Sequence, residues 1–369
     1  ISGIDINDPA EGRLMIATPS DGLLNDILPN FLGHVSDIAW QDDTTVMFMA
    51  EEGVWTTFKE LGADGRNAKT HVEPGNMVAR SLTLSRDGRT AAMLVSSPTH
   101  PNEVFIMSHG DSGPRRLTQS NPWLDEIRLA KQEPIRYTAG DGEEIEAILT
   151  YPLDYESGKR YPLIVDVHGG PEARDPNGWM TNYGGPGQMA AARGYFVMSP
   201  NYRGSTGRGV AFTKAHQAHY GGREFDDIID GIDYLIERGM VDRDKVGVTG
   251  GSYGGFATAW MSTYHTKRFA AGVMFVGISD HISKSGTTDI RDEMYLVHAR
   301  KRLWEDWAFF LERRPIRYVE QARTPLLIMH GKEDTRVHPS QSLELYRNLE
   351  VLNQTPVRLV WYPGEGHGN

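Results

Sequence analysis

The sequence predicts two regions of different character: a short all-β segment built from repeated hairpins, then an α/β unit carrying a mostly parallel sheet. Three observations carry that reading. Up to about residue 125, short alternating runs of β-forming residues are broken by turn residues, as in "VSDIAWQDDTTVMFMAEEGVWTTFKEL" from Val35 and "ARSLTLSRDGRTAAMLVSSPTHPNEVFIMSHG" from Ala79. Beyond that point, near-continuous apolar runs alternate with helical patterns. The third observation is a serine bracketed by glycines, in "KVGVTGGSYGGFATAW", where an apolar run meets a helical segment.

Composition narrows the functional classes. The 369 residues are 39% hydrophobic and 24% charged, the balance of a soluble globular protein long enough for two domains. Basic residues number 38 and acidic ones 49, a net charge of −11 with no long single-sign run, which argues against nucleic-acid binding. Cysteine is absent, so disulfides, thiolate chemistry and zinc sites built on CxxC pairs are excluded. No apolar run reaches about 18 residues and no signal peptide is seen, so no membrane span is expected. Ile1 in place of Met suggests a processed or trimmed start. The compartment stays open: the cytoplasm is favoured, and a secreted or periplasmic place after signal removal is compatible.

In the first region the two β-rich stretches repeat. Ile38 aligns with Leu82, Trp40 with Leu84 and Asp43 with Asp87, an offset of 44 residues (82 − 38). A period of roughly 40–45 residues with about four strands per unit marks a β-propeller blade. Two unrelated hairpins are the plainer alternative. Propellers close with about 4–8 blades, whereas residues 1–125 hold two and part of a third. An incomplete propeller, finished by a further segment or chain, is therefore expected at 1–125, or no closed propeller at all.

The second region, 126–369, contains six buried-strand patterns: "YPLIVDVHGG" from Tyr161, "YFVMSPNYRG" from Tyr195, "KVGVTGG" from Lys245, "FAAGVMFVG" from Phe269, "TPLLIMHG" from Thr324 and "PVRLVWYPG" from Pro356. The clearest helix is "REFDDIIDGIDYLIERG", where Phe225, Ile228, Ile229, Ile232, Leu235 and Ile236 recur at three- and four-residue steps and Gly239 stands as a stop. Alternating strands and helices imply a parallel sheet whose site lies at the carboxyl ends of its strands.

Chemistry enters at Gly250-Gly251-Ser252-Tyr253-Gly254, which fits G-x-S-x-G between a strand and a helix. In a chain with 40 glycines the five-residue pattern alone is weak, and a plain glycine-rich turn is its bland alternative; the strand–turn–helix context strengthens it. A nucleophilic serine needs a base and an acid that fixes the base's tautomer. In this sheet type they follow in the order Ser, acid, His, each in a loop after a strand. Asp334 stands just past "TPLLIMHG", with Glu333 as its rival, and His367 follows the last strand. Histidines before Ser252 break the order; His265, His281 and His298 do not follow the final strand, and His330 and His338 flank the acid. Two donors for an oxyanion are expected at the backbone N–H groups of Tyr253 and Gly170, the latter in "HGGP".

Together "HGGP", "NYRGSTGRG", "GGSYGGFAT", "HGKEDTRVHPSQS" and "GEGHG" resemble the prolyl oligopeptidase family of serine peptidases, in particular its acylaminoacyl-peptidase and dipeptidyl-peptidase-like branch, over residues from about 125 to 369. The resemblance implies an α/β-hydrolase catalytic domain capped by a β-propeller, with Ser252, Asp334 and His367 as triad and Gly170 and Tyr253 as oxyanion donors. It also implies a substrate-carbonyl contact at Arg336, whose bland alternative is a structural salt bridge, and makes Tyr202 and Arg203 weaker candidates lining the site. Two departures stand out: the first region is shorter than seven or eight blades, with no recognisable acidic pair for a free substrate amine, and the chain stops two residues past His367 where the family packs a further helix. An imidazole so placed is expected to be loosely held, and the chain to belong to a larger or cleaved protein.

Three functions remain in play. A serine peptidase acting on short peptides through an acyl-enzyme leads, a carboxylesterase with the same triad follows, and an inactive hydrolase fold serving as a binding module is third. None calls for a cofactor or metal. Oligomeric state, homo-oligomers included, and cleavage preference are open, though residues between Ile278 and Trp307 are expected as pocket wall.

Overall fold

A computed structural model describes residues 1–7, 10–20 and 22–368. A two-stranded ribbon of β1 (Met15–Ala17) and β2 (Leu24–Asp26) comes first. Then β3 (His34–Trp40), β4 (Thr45–Glu52), β5 (Trp55–Gly62) and β6 (Lys69–Val72) form an antiparallel meander. A second meander repeats it with β7 (Val78–Leu84), β8 (Thr90–Ser97), β9 (His100–Ser108) and β10 (Arg115–Arg116). The starts of β3 and β7 are 44 residues apart (78 − 34), the period read from the sequence. Each unit closes its first hairpin with an aspartate turn, Asp42 accepting from Thr44 N (2.8 Å) and Asp87 from Arg89 N (3.2 Å). The second turn is one residue longer, so Asp42 rather than the aligned Asp43 is the counterpart of Asp87. Met47, Met49 and Phe58 of one unit pack on Leu82, Ala91, Met93 and Met107 of the other. Asp37 Oδ2 accepts from Leu82 N at 2.6 Å and joins β3 to β7.

The second region holds an eight-stranded sheet. It opens with β11 (Gln132–Thr138) and β12 (Glu144–Thr150), both antiparallel to their neighbours. Parallel strands follow: β13 (Tyr161–Val167), β14 (Phe196–Asn201), β15 (Val241–Gly251), β16 (Ala271–Phe275), β17 (Leu326–Gly331) and β18 (Val357–Tyr362). Each apolar run of the sequence is one of these six. The sheet order is β11-β12-β14-β13-β15-β16-β17-β18. Helix Arg223–Glu237 turns Phe225, Ile228, Ile232 and Leu235 into the core, and Gly239 follows it at φ +71°. Helix Tyr253–Thr263 is buried along its whole length, with Phe256, Ala257 and Met261 in the main core and Ala259 packed in a second cluster with Val319, Leu345 and Leu349. This is the α/β-hydrolase fold preceded by a partial, propeller-blade-like all-β region. Among the described residues no helix is long and apolar enough to cross a membrane.

The all-β region docks on the loops that follow β13 and β14. Arg174 Nε donates to Glu51 Oε2 (2.6 Å), Gly53 N to Gly207 O (2.7 Å) and Asn177 N to Val54 O (2.9 Å). Glu11, fully buried, accepts from Gly207 N, Gly209 N and Thr213 Oγ1. Arg203, expected near the substrate, is instead a buried tie: it grips Asp227 through Nε and Nη2 and Asp141 through Nη1 at 2.7 Å. Replacing Arg203 with Ala would strand the buried Asp227 carboxylate, so a loss of about 3–5 kcal/mol is expected in urea unfolding. A midpoint at the wild-type value would show that the pair is dispensable.

Candidate active site

Ser252 sits on the turn between β15 and helix Tyr253–Thr263 with φ 59° and ψ −116°, a strained conformation for a residue with a Cβ. Its neighbours show why glycine brackets it. A methyl group on Gly254 or on Gly250 would collide with Val167 O at the end of β13. Ser252 N bonds to Phe275 O (3.1 Å), fixing the turn to β16.

His367 Nε2 lies 2.9 Å from Ser252 Oγ, and His367 Nδ1 lies 2.8 Å from Asp334 Oδ2. Since an ionised carboxylate only accepts, Nδ1 carries the hydrogen and Nε2 presents its lone pair to the serine hydroxyl. The Asp334 side chain is wholly buried, and its Oδ1 accepts from Arg336 N (2.9 Å) and Val337 N (3.0 Å). Burial alone would raise the carboxyl's pKa, but the donors of His330, His367 and Val337 outweigh it and hold the group well below the usual carboxylate range. Glu333, the rival acid, is exposed. His330 was not singled out by the sequence beyond flanking the acid. Its Nε2 faces Val337 O (2.7 Å) as well as Asp334 Oδ2 (3.1 Å), so that nitrogen donates, while Nδ1 accepts from Ser342 Oγ (2.6 Å).

The loop carrying His367 is better anchored than expected. Lys332 N bonds to Tyr362 O (3.0 Å) and Glu333 N to Glu365 O (2.9 Å), so backbone bonds clamp it to the loop that carries Asp334.

Across the serine runs the His168–Pro171 loop. The Cβ position of Gly169 lies 3.2 Å from Ser252 Cβ, and Gly170 has φ +118°, where a side chain would strike Glu172 N. Phe256 N bonds back to Ser252 O (2.9 Å), so the Tyr253 N–H is left at the open amino end of its helix. Gly169 thus lies against Ser252 on one side, with Gly170 next to it in the chain, and Tyr253 opens the helix on the other. Tyr202 does not line the opening. It is fully buried, stacks on the His168 ring at 4.4 Å and donates its hydroxyl to His168 O (2.7 Å), which makes it a support for the loop. Burial pushes the His168 imidazole down to about 4, so that ring is neutral. Arg336 Nε pairs with Asp289 Oδ1 at 2.7 Å, the salt bridge weighed as its alternative, with the side chain 47% exposed. Tyr253 itself is braced below the site, its hydroxyl donating to Glu224 Oε1 at 2.5 Å.

Fold and site together define an α/β-hydrolase architecture with a serine, an imidazole and a carboxylate in one hydrogen-bonded row. The profile of the prolyl oligopeptidase family matches residues 185–369, and the chain belongs to that family. Among its relatives, the uncharacterized peptidase YuxL of Bacillus subtilis is 33% identical over 288 residues, which cover 78% of this chain and 43% of YuxL. Dipeptidyl aminopeptidase BIII of Pseudoxanthomonas mexicana is 32% identical over 308 residues, 80% of this chain and 44% of that enzyme. A solved acylaminoacyl peptidase in complex with Z-Gly-Gly-Phe-chloromethyl ketone superposes with a TM-score of 0.84 at 25% identity, over 97% of this chain and 55% of the other. The chain therefore spans about half the length of these proteins.

Gly254→Ala tests the elbow. The new methyl group would meet the backbone of Val167 and His168, which no side-chain rotation can clear, so stability should fall by about 1–3 kcal/mol or more, as in over-packed cores. Differential scanning calorimetry reads it; an unchanged melting curve would show that the turn has room.

Proposed function

We propose that the protein is a serine peptidase that hydrolyses peptide bonds in short peptides, with Ser252 as nucleophile, His367 as base and then acid, and Asp334 as the group that orients His367. The reading rests above all on the continuous row from Ser252 Oγ through His367 to Asp334, with links of 2.9 and 2.8 Å, at the carboxyl ends of the strands. Ser252 Oγ attacks the scissile carbonyl while its proton passes to His367 Nε2. Asp334, held ionised by its donors, keeps the Nδ1 hydrogen and balances the imidazolium. The N–H groups of Gly170 and Tyr253 receive the developing oxyanion. His367 returns the proton to the leaving amine, and water then repeats the cycle on the acyl-enzyme. Membership of a peptidase family, and a related enzyme whose complex holds a peptidyl chloromethyl ketone, favour peptides over other acyl substrates. We assign Arg336 to a substrate carbonyl, reached by giving up Asp289, and divide the chain into a cap over 1–125 and a catalytic domain over 126–369.

A fluorophosphonate probe and a pair of substrates test this. Ser252→Ala is expected to abolish labelling and turnover, and Asp334→Asn to lower kcat roughly 10⁴-fold by leaving the wrong tautomer. Blocked peptide anilides should be cleaved. An enzyme fast on a simple ester and inert on every anilide is a carboxylesterase, and one that takes no label on Ser252 is no hydrolase of this kind.

A further inference from the structure

Behind the loop that carries Gly170, three side chains remote in sequence converge: Glu172, His216 and His298. The serine chemistry uses none of them. Their facing atoms form a small triangle: His216 Nε2 lies 3.1 Å from Glu172 Oε1 and 3.2 Å from His298 Nδ1, and the third edge, His298 Nδ1 to Glu172 Oε1, is 3.7 Å. Side-chain exposures are 8% for Glu172, 0% for His216 and 2% for His298.

Both imidazoles are oriented from outside the triangle. His216 Nδ1 lies 2.8 Å from Thr213 O, which only accepts, so the hydrogen is on Nδ1 and Nε2 turns a lone pair inward. His298 Nε2 faces the Glu293 carboxylate at 3.3 Å, so its hydrogen points there and Nδ1 turns a lone pair inward. Glu172 Oε1 is buried and receives no hydrogen bond, although His216 Nε2 is close by. Three electron-pair donors thus face one another away from water, an arrangement that calls for a cation between them.

We propose that Glu172, His216 and His298 form a binding site for a divalent transition-metal ion of the zinc type. Two imidazoles and a carboxylate are a ligand set suited to such an ion. Ligand atoms on a tetrahedral ion with bonds of about 2.0 Å stand about 3.3 Å apart, and the observed edges of 3.1, 3.2 and 3.7 Å bracket that spacing. Thr213 O and Glu293 supply the outer hydrogen bonds that fix ligating histidines in the correct tautomer. The ion joins three segments. Glu172 belongs to the loop just after Gly170, His216 packs beside Gly204 past β14, and His298 stacks at 5.1 Å on Tyr220, whose ring packs on Tyr253 at 5.2 Å. Its role is to position the loop bearing Gly170; that consequence for turnover rests on the peptidase reading, whereas the site itself does not.

The natural protein, purified without a polyhistidine tag, is stripped with a chelator and titrated with Zn²⁺ and with Co²⁺. One ion per chain, a raised melting temperature and the visible bands of tetrahedral Co²⁺ are expected. Glu172→Gln, nearly the same shape, should weaken Zn²⁺ at least tenfold, and Ser252→Ala should leave it unchanged, which separates the metal site from the serine chemistry. Wild-type protein that takes up neither ion, or a Co²⁺ spectrum identical in Glu172→Gln, would overturn the proposal and leave a protonated His216 paired with Glu172.

Discussion

The close approach of helix Tyr253–Thr263 to the edge of β13 is the constraint on which the site depends. Because Val167 O occupies the space where a Cβ of Gly250 or Gly254 would lie, the chain can turn from β15 into the helix within a single residue. That residue is Ser252, and the turn imposes its φ of 59°. Two consequences follow from one contact. The hydroxyl stands clear of the sheet toward His367, and the first free N–H of the helix faces the same space. The strain is opposed by a fully buried helix, whose apolar packing is worth far more than the few kcal/mol a distorted backbone costs.

Charge at the site is managed by counting donors against burial. Asp334 has no exposure, yet two imidazoles and two backbone N–H groups point at it, so it is ionised and fixes the His367 tautomer. Glu224 is just as deeply buried but has the Tyr253 hydroxyl and the Gly221 N–H on one oxygen only, and burial raises its pKa. A buried carboxyl group is thus held ionised at Asp334, whereas at Glu224, the brace for Tyr253, burial raises its pKa. What separates them is how many donors the surrounding backbone turns inward.

This distinction explains what was legible in the sequence. Ser252, Asp334 and His367 each follow an apolar run, and such runs are strands because both faces are covered, so position in the chain translates directly into position at the carboxyl edge. The strands β11 and β12 escaped because Glu144, Glu146 and Arg136 interrupt their apolar residues; the charges pair across the two strands, with Arg136 on Glu146 at 2.8 Å. Tyr202 and Arg203 read as loop residues beside the site, and nothing local reveals that both are buried supports. His330 hid in plain view, since a histidine inside a buried strand acquires meaning only when Asp334, four residues on, folds back over it. Glu172, His216 and His298 lie too far apart in sequence for any spacing rule.

The 44-residue repeat was legible for the same reason as the strands, as a periodic pattern, but its place in the molecule was not. The all-β region does not rest on the outside of the sheet; it grips the segments after β13 and β14, through Glu51 on Arg174, Val54 on Asn177 and Glu11 on Gly207 and Gly209. Those two segments are also bonded to each other, with Thr206 N on Ala173 O and Asp175 N on Asn201 Oδ1. The loop proposed to offer Gly170 to an oxyanion is therefore tied to the blades through Arg174 and to Tyr202 through His168 O. An oxyanion donor is effective only if it needs no reorganisation when charge develops. Ties to two different parts of the chain are a physical means of meeting that demand.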